Sequence, residues 1–219
     1  MNIKFCTVFI LILISLSFTL KNERIEKLKP IKIKWVNNLE GDFSFKESWS
    51  YQEGVYKNQY GQLSCDGICP IEIDLMIDQN GKIYKDSLEA FYKIIDTTHI
   101  PYSLKSENRM YEYSGTNFIS FTKSSVGEIK GRSANNVSTH SSLHIEITND
   151  FCVVWVDFNS IRDLGEHIFP LEEGVIVIDK KLFDEGIVKA VFDFKFKNNL
   201  DAKEELFWKG KIYSMIKNE

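Results

Sequence analysis

The segment "SLHIEITNDFCVVWVDF", residues 142–158, constrains the fold more than any other part of the chain. Apolar and polar residues alternate through both halves, and a strand sends successive side chains to opposite faces. Between the halves lies Thr148-Asn149-Asp150-Phe151, which suits a two-residue turn because Asn and Asp tolerate positive φ. That turn sets a register. Ile147 faces Cys152, Ile145 faces Val154 and Leu143 faces Val156, and all six point to one side, the expected core. His144 opposite Trp155 and Glu146 opposite Val153 take the other side.

The same period recurs along the chain. "IVKAVFDFKF" sets Val188, Ala190, Phe192, Phe194 and Phe196 against Lys189, Asp193 and Lys195. The polar loop "KNNLDAKEE" and then "LFWKGKIYSMI" complete a second hairpin, and "GVIVID" is a short apolar strand ahead of it. "IKIKWV" puts Ile31, Ile33 and Trp35 on one face. "DFSFKESWSY" groups Phe43, Phe45, Trp49 and Tyr51, which predicts another strand. One segment has the helical period instead: Leu88, Phe91, Tyr92 and Ile95 fall at i, i+3, i+4 and i+7. Asp86 with Glu89 resembles a capping box, and Pro101 bars a long continuation. Residues 102–142 are weakly patterned, with a strand at "NFISF", a polar loop and a weak strand near 127–130. The expectation is a mainly β (β-rich α+β) fold, an antiparallel sandwich or open barrel with one packed α-helix at about 86–97.

The N-terminus decides the compartment. Lys4 precedes an almost wholly apolar run at residues 5–20, and Lys21, Glu23, Arg24 and Glu26 end it. This is the pattern of a secretory signal peptide. The run is short of the roughly twenty residues of a membrane-spanning helix, although an uncleaved N-terminal anchor is the alternative. Residues 1–20 are therefore assigned to a signal or anchor and residues 30–219 to a single β-rich domain of secreted or periplasmic location. The net charge of -4 and pI ≈ 5.7 offer no cationic surface, so no nucleic-acid partner is expected.

Export places Cys65, Cys69 and Cys152 in an oxidising compartment. The hairpin register turns Cys152 into the core as a small hydrophobe. Cys65 and Cys69 are left for each other, with Asp66-Gly67 able to turn the chain between them. A structural disulfide, a labile redox pair and a metal hook all remain open for this pair. Cys65-Asp66-Gly67-Ile68-Cys69-Pro70 is similar to the Cys-x-x-x-Cys-Pro motif of the SCO-type copper chaperones. That resemblance implies a thioredoxin fold, an N-terminal membrane anchor and copper held by the two cysteines with a distant histidine.

Other patterns do not build a site. His140, His144 and Glu146 share a strand face, but strand residues four apart lie about 13 Å apart, too far for one ion without a bend. "GRSAN" lacks the closing glycine of a nucleophile elbow. "DQNGK" has the wrong spacing for a calcium loop and reads as a turn. Asn136-Val137-Ser138 is a glycosylation sequon. Asp157, Glu166 and His167 could act as acid or base only if the fold collected them. No phosphate loop or dinucleotide fingerprint is present. No cofactor is assigned. The expected role is a non-catalytic binding or envelope-structural module with an unknown ligand or envelope partner. Membrane contact is expected only through the N-terminal segment. Trp35, Trp49, Trp155, Trp208 and the tyrosines would offer stacking surface to a glycan or apolar ligand, or else pack in the core. The alternative is thiol redox or copper handling through Cys65 and Cys69.

Overall fold

The computed structural model describes residues 28–66, 69–133 and 139–219. The expected export segment at 1–20 and the sequon at Asn136 lie outside those residues. The strands β1 (Ile31–Lys32), β2 (Lys34–Val36), β3 (Trp49–Ser50), β4 (Val55–Lys57), β5 (Leu63–Cys65) and β6 (Ile100–Pro101) are short. Longer strands follow: β7 (Leu104–Arg109), β8 (Ile119–Lys123), β9 (Ile129–Ser133), β10 (Ser141–Thr148), β11 (Phe151–Asn159), β12 (Glu166–Asp179), β13 (Ile187–Phe196) and β14 (Leu206–Asn218).

Seven strands close into a barrel in the order β11-β10-β9-β8-β14-β13-β12 and back to β11. Two long strands make closure possible by serving two neighbours in turn. β12 pairs β11 through residues 166–170 and β13 from Leu171 onward, with an irregularity between Leu171 and Glu173 close to the changeover. A bulge bends a strand and increases its twist, which is how one strand turns the corner between sheets. β14 pairs β13 along one edge, while its other edge takes β7 and then, in parallel, β8 at Ile216–Asn218. The mainly β expectation is met, and the sheet is closed.

The β10–β11 register is the one the alternation predicts, with Leu143↔Val156, Ile145↔Val154 and Ile147↔Cys152, and Asn149 turns at φ 54°. All six side chains are buried, as are the alternate residues of β13 from Val188 to Phe196. The barrel is filled by side chains. Trp208 is fully buried and its indole N–H donates to Ser106 Oγ at 2.9 Å, so no polar atom is stranded there. Gly131 is the inward residue between Phe121 and Ile145, and a Cβ there would lie 2.3 Å from the Phe121 ring. The glycine makes room for the ring.

Three local expectations are corrected. Residues 42–51 do not form one strand. Asp42 accepts the Ser44 amide at 2.9 Å and turns the chain into a 3-10 helix (Ser44–Glu47), so that only Trp49–Ser50 is extended. The helix spans Leu88–Ile94, shorter than 86–97, and a second short helix, Lys180–Asp184, is present. Phe91 and Ile95 are buried, but Leu88 and Tyr92 are 38% and 42% exposed, because the core beneath reaches only one edge of the predicted face. The capping box is not formed either: Ser87 holds the N-cap without a side-chain hydrogen bond, and Glu89 pairs with Lys93 at 2.7 Å. In the weakly patterned stretch the strands expected at "NFISF" and near 127–130 are β8 and β9, which pair as a hairpin, and β7 is an additional strand whose polar residues hid it.

Residues between β3 and β6 carry a separate, smaller core: Cys65, Ile73, Ile83, Phe91 and Ile95 are buried together, with Val55, Leu63 and Cys69 packed against them. Among the described residues no helix is long and apolar enough to cross a membrane.

Candidate binding groove

The barrel wall and the smaller core meet across a short ladder. β3 pairs β6 through Trp49↔Pro101 and Ser50↔Ile100, and the Tyr102 amide donates to Ser48 O at 2.9 Å. Ser103 then locks this neck to the barrel. Its carbonyl accepts the Tyr213 amide at 3.0 Å, and its hydroxyl both donates to Ile119 O and accepts from Ile119 N at 2.8 Å. Ser214 Oγ donates to the same Ile119 carbonyl at 2.9 Å.

Beside this knot runs an open groove of about 920 Å³. Its lining includes Tyr51, Tyr102, Phe118 and Tyr213, with Gly54 and Val55 from the small-core side. The Tyr102 and Phe118 rings meet edge to face at 5.6 Å, and Lys46 Nζ sits 4.8 Å above the Tyr213 ring. Lys46, Lys217, Glu47 and Glu53 line it, so the formal charges balance. Close by, Trp49 stacks on His99 at 3.5 Å and meets Tyr51 edge-on at 5.1 Å, with Trp49 44% exposed.

The cysteine pair lies behind one wall. Cys65 and Cys69 are joined in a disulfide with Cα atoms 6.0 Å apart. Cys65 ends β5, which pairs with β4 outside the barrel. The thioredoxin fold implied by the copper-chaperone resemblance is therefore not the fold of this chain. Its motif follows a three-residue antiparallel strand, and among the described residues no parallel sheet lies behind it to supply that architecture. Cys152 is a free thiol inside the barrel, and burial pushes it up to about 12.

The histidines are placed apart. His144 stacks on Trp155 at 4.7 Å, and its Nε2 lies 3.1 Å from Asp157, close enough for an ion pair but not aligned as a hydrogen bond. His140 lies 3.8 Å from Glu112, whereas Glu146 pairs with Lys130. His167 points to the opposite face from Asp157, beside Phe158 and Phe169, so the fold does not collect these acid–base candidates. Among the described residues no three His, Cys, Asp or Glu side chains converge to hold a metal. Glu112 is a structural carboxylate. Desolvation alone would raise it, but hydrogen bonds from Ser160 and the Ile161 amide, with His140 and Arg162 nearby, outweigh that and hold it below its ordinary value.

Of the four tryptophans, Trp208 and Trp155 are buried and Trp35 packs edge-on against Phe183. Trp49 is the one beside the groove. The sequence offers the tyrosines for stacking as a class but does not mark which of them share a site. The available signal was local: Tyr213 falls on the outward phase of β14, between inward Ile212 and Ser214. No family model, curated protein or solved structure matches the chain.

Proposed function

We propose that this chain is an exported, non-catalytic binding module whose ligand lies in the groove between the barrel wall and the small core. The observation that carries the reading is the row of aromatic rings along an open, charge-balanced cleft. Half-buried rings next to polar donors suit a ligand with flat apolar faces and hydroxyl edges, the chemistry of a neutral oligosaccharide. Export rests on the apolar run at 5–20 and is supported by the disulfide, since such bonds persist in oxidising compartments. In this reading Cys65 and Cys69 staple a wall of the site and do not hook a metal.

Two experiments test it. Residues 1–29 fused to a reporter active only after export should carry it out of the cytoplasm; a cytoplasmic reporter overturns the localisation. Titration with short neutral oligosaccharides, followed by tryptophan fluorescence, should show binding that Tyr102→Ala weakens roughly tenfold. Tyr113→Ala, 68% exposed and outside the groove lining, should leave it unchanged. Absence of binding, or equal loss in both variants, refutes the groove as the site.

A further inference from the structure

We infer that the Cys65–Cys69 disulfide is a redox gate on the groove, a regulation that rests on reading the groove as the binding site. Val55 is the cross-strand partner of Cys65, and the Asp66 amide donates to Gly54 O at 2.9 Å. Gly54 and Val55 themselves line the groove. Gly54 turns at φ 83°, and the Val55 amide closes that turn on Gln52 O at 3.0 Å. The wall is thus hydrogen-bonded to the residue that follows the first sulfur, and Val55 lies side by side with the cysteine that carries it.

Apart from the bond, local hydrogen bonds hold that ladder: Asn58 closes its turn, and Asn58 Nδ2 and Ser64 Oγ donate to Gly81 O. β4–β5 is an isolated pair of strands joined through three residue pairs, and two-stranded ribbons are marginal on their own. The core beneath it has five buried members, one of which is Cys65. A core so small needs a cross-link. Opening the bond therefore removes the constraint where the packing is thinnest, while the barrel, on its own core, is untouched.

The two sulfurs differ in access. Cys65 is 8% exposed, whereas Cys69 is half-buried at the surface. A dithiol reductant attacks Cys69 Sγ as its thiolate and forms a mixed disulfide, and Cys65 leaves as a thiolate that takes up a proton. The second thiol of the reductant then displaces Cys69. Two electrons and two protons pass to the protein, and the reductant becomes a disulfide. Cys152 takes no part, because it faces the barrel interior.

The test uses the full exported chain, oxidised and then reduced with dithiothreitol, with complete reduction verified by alkylation and mass. Amide hydrogen exchange in residues 53–66 should quicken at least about tenfold, while β10, β11 and β13 keep their protection. The double variant Cys65→Ser, Cys69→Ser should show the fast pattern with or without reductant. Unchanged protection in 53–66 after full reduction overturns the gate. So does uniform loss of protection across the barrel, which would make the bond a support of the whole fold. Exchange is measured without ligand, so the gate can fail while oligosaccharide binding stands, and binding can fail while the gate stands.

Discussion

The barrel interior and the small core under the disulfide show two ways to order a chain. In the barrel, Phe121, Phe169, Phe192, Phe194 and Trp208 are all buried to within 2% of full coverage, inside a sheet that closes on itself. Closure removes sheet edges, and the packed rings supply the apolar area. The small core has neither. Around it Ile71 and Leu75 remain 79% and 82% exposed in a 3-10 turn, and much of the order comes from side chains bonded to backbone. Asn58 Oδ1 accepts from Tyr60 and Gln62, Asn58 Nδ2 donates to Gly81 O, and Asp78 Oδ1 accepts from Asn80 and Lys82. These are Asx-type turns, in which a short side chain imitates a backbone turn. One region is held by area, the other by a staple and local hydrogen bonds, and the groove runs where they meet.

The largest effect should come from the barrel. Trp208→Ala removes a fully buried indole and leaves Ser106 without its donor, at a cost of about 3–5 kcal/mol. Chemical denaturation followed by fluorescence and by circular dichroism should shift together. Separate transitions would show that the barrel is not one cooperative unit.

Phe91→Ala strikes the other core. It should cost about 3 kcal/mol of local stability, seen as faster exchange in residues 55–95 with little change in the barrel. Leu88→Ala, on the exposed edge, should stay within about 0.5 kcal/mol. Equal effects from the two would restore the four-residue helical face that the periodicity predicts. A barrel that melts with Phe91→Ala would erase the distinction between the regions.

Asp179 brings the side-chain-to-backbone device into the barrel. Its carboxylate accepts from the Leu182 amide at 3.1 Å, capping the 180–184 helix, and from the Leu39 amide at 2.9 Å. Asp179→Ala should cost about 1–2 kcal/mol, the usual worth of a cap. Desolvation pushes this carboxyl up, but the bonds from Leu39 and Leu182 with nearby Lys189 outweigh it, so it stays below the ordinary value. The unfolded chain then binds the proton more readily than the folded one. The contribution is complete above the unfolded aspartate range and is lost as pH falls through the folded value. Stability measured from pH 7 downward should decline less steeply in the variant than in the wild type.

The smallest effect concerns Cys152. Its thiol, raised to about 12 by burial, should ignore a thiol reagent at pH 8 and react once upon unfolding. Reaction in the native state would mean that the barrel opens where its packing says it is closed.

Where alternation and turn chemistry agree, the fold was legible residue by residue. The β10–β11 register and the inward face of β13 follow from period-two burial alone. Legibility failed where inward positions are small or polar. Ser106, Gly131 and Ser133 serve the barrel by receiving an indole N–H, a phenyl ring and the Leu143 amide, and none of these roles leaves a hydrophobic signal. It failed again at the helix, where periodicity marks a possible face but cannot say how much core lies opposite it.

By itself the sequence determined the β class, the two long hairpins and the nearness of Cys65 to Cys69, because each depends on residues close in the chain and on a local period. Tertiary structure alone decided that the sheet closes, that Leu88 stays half-exposed and that Tyr51, Tyr102, Phe118 and Tyr213 share one groove. Those rings come from segments far apart in the chain, and no local rule of pattern or propensity acts across such distances; only the long-range strand pairings bring them together.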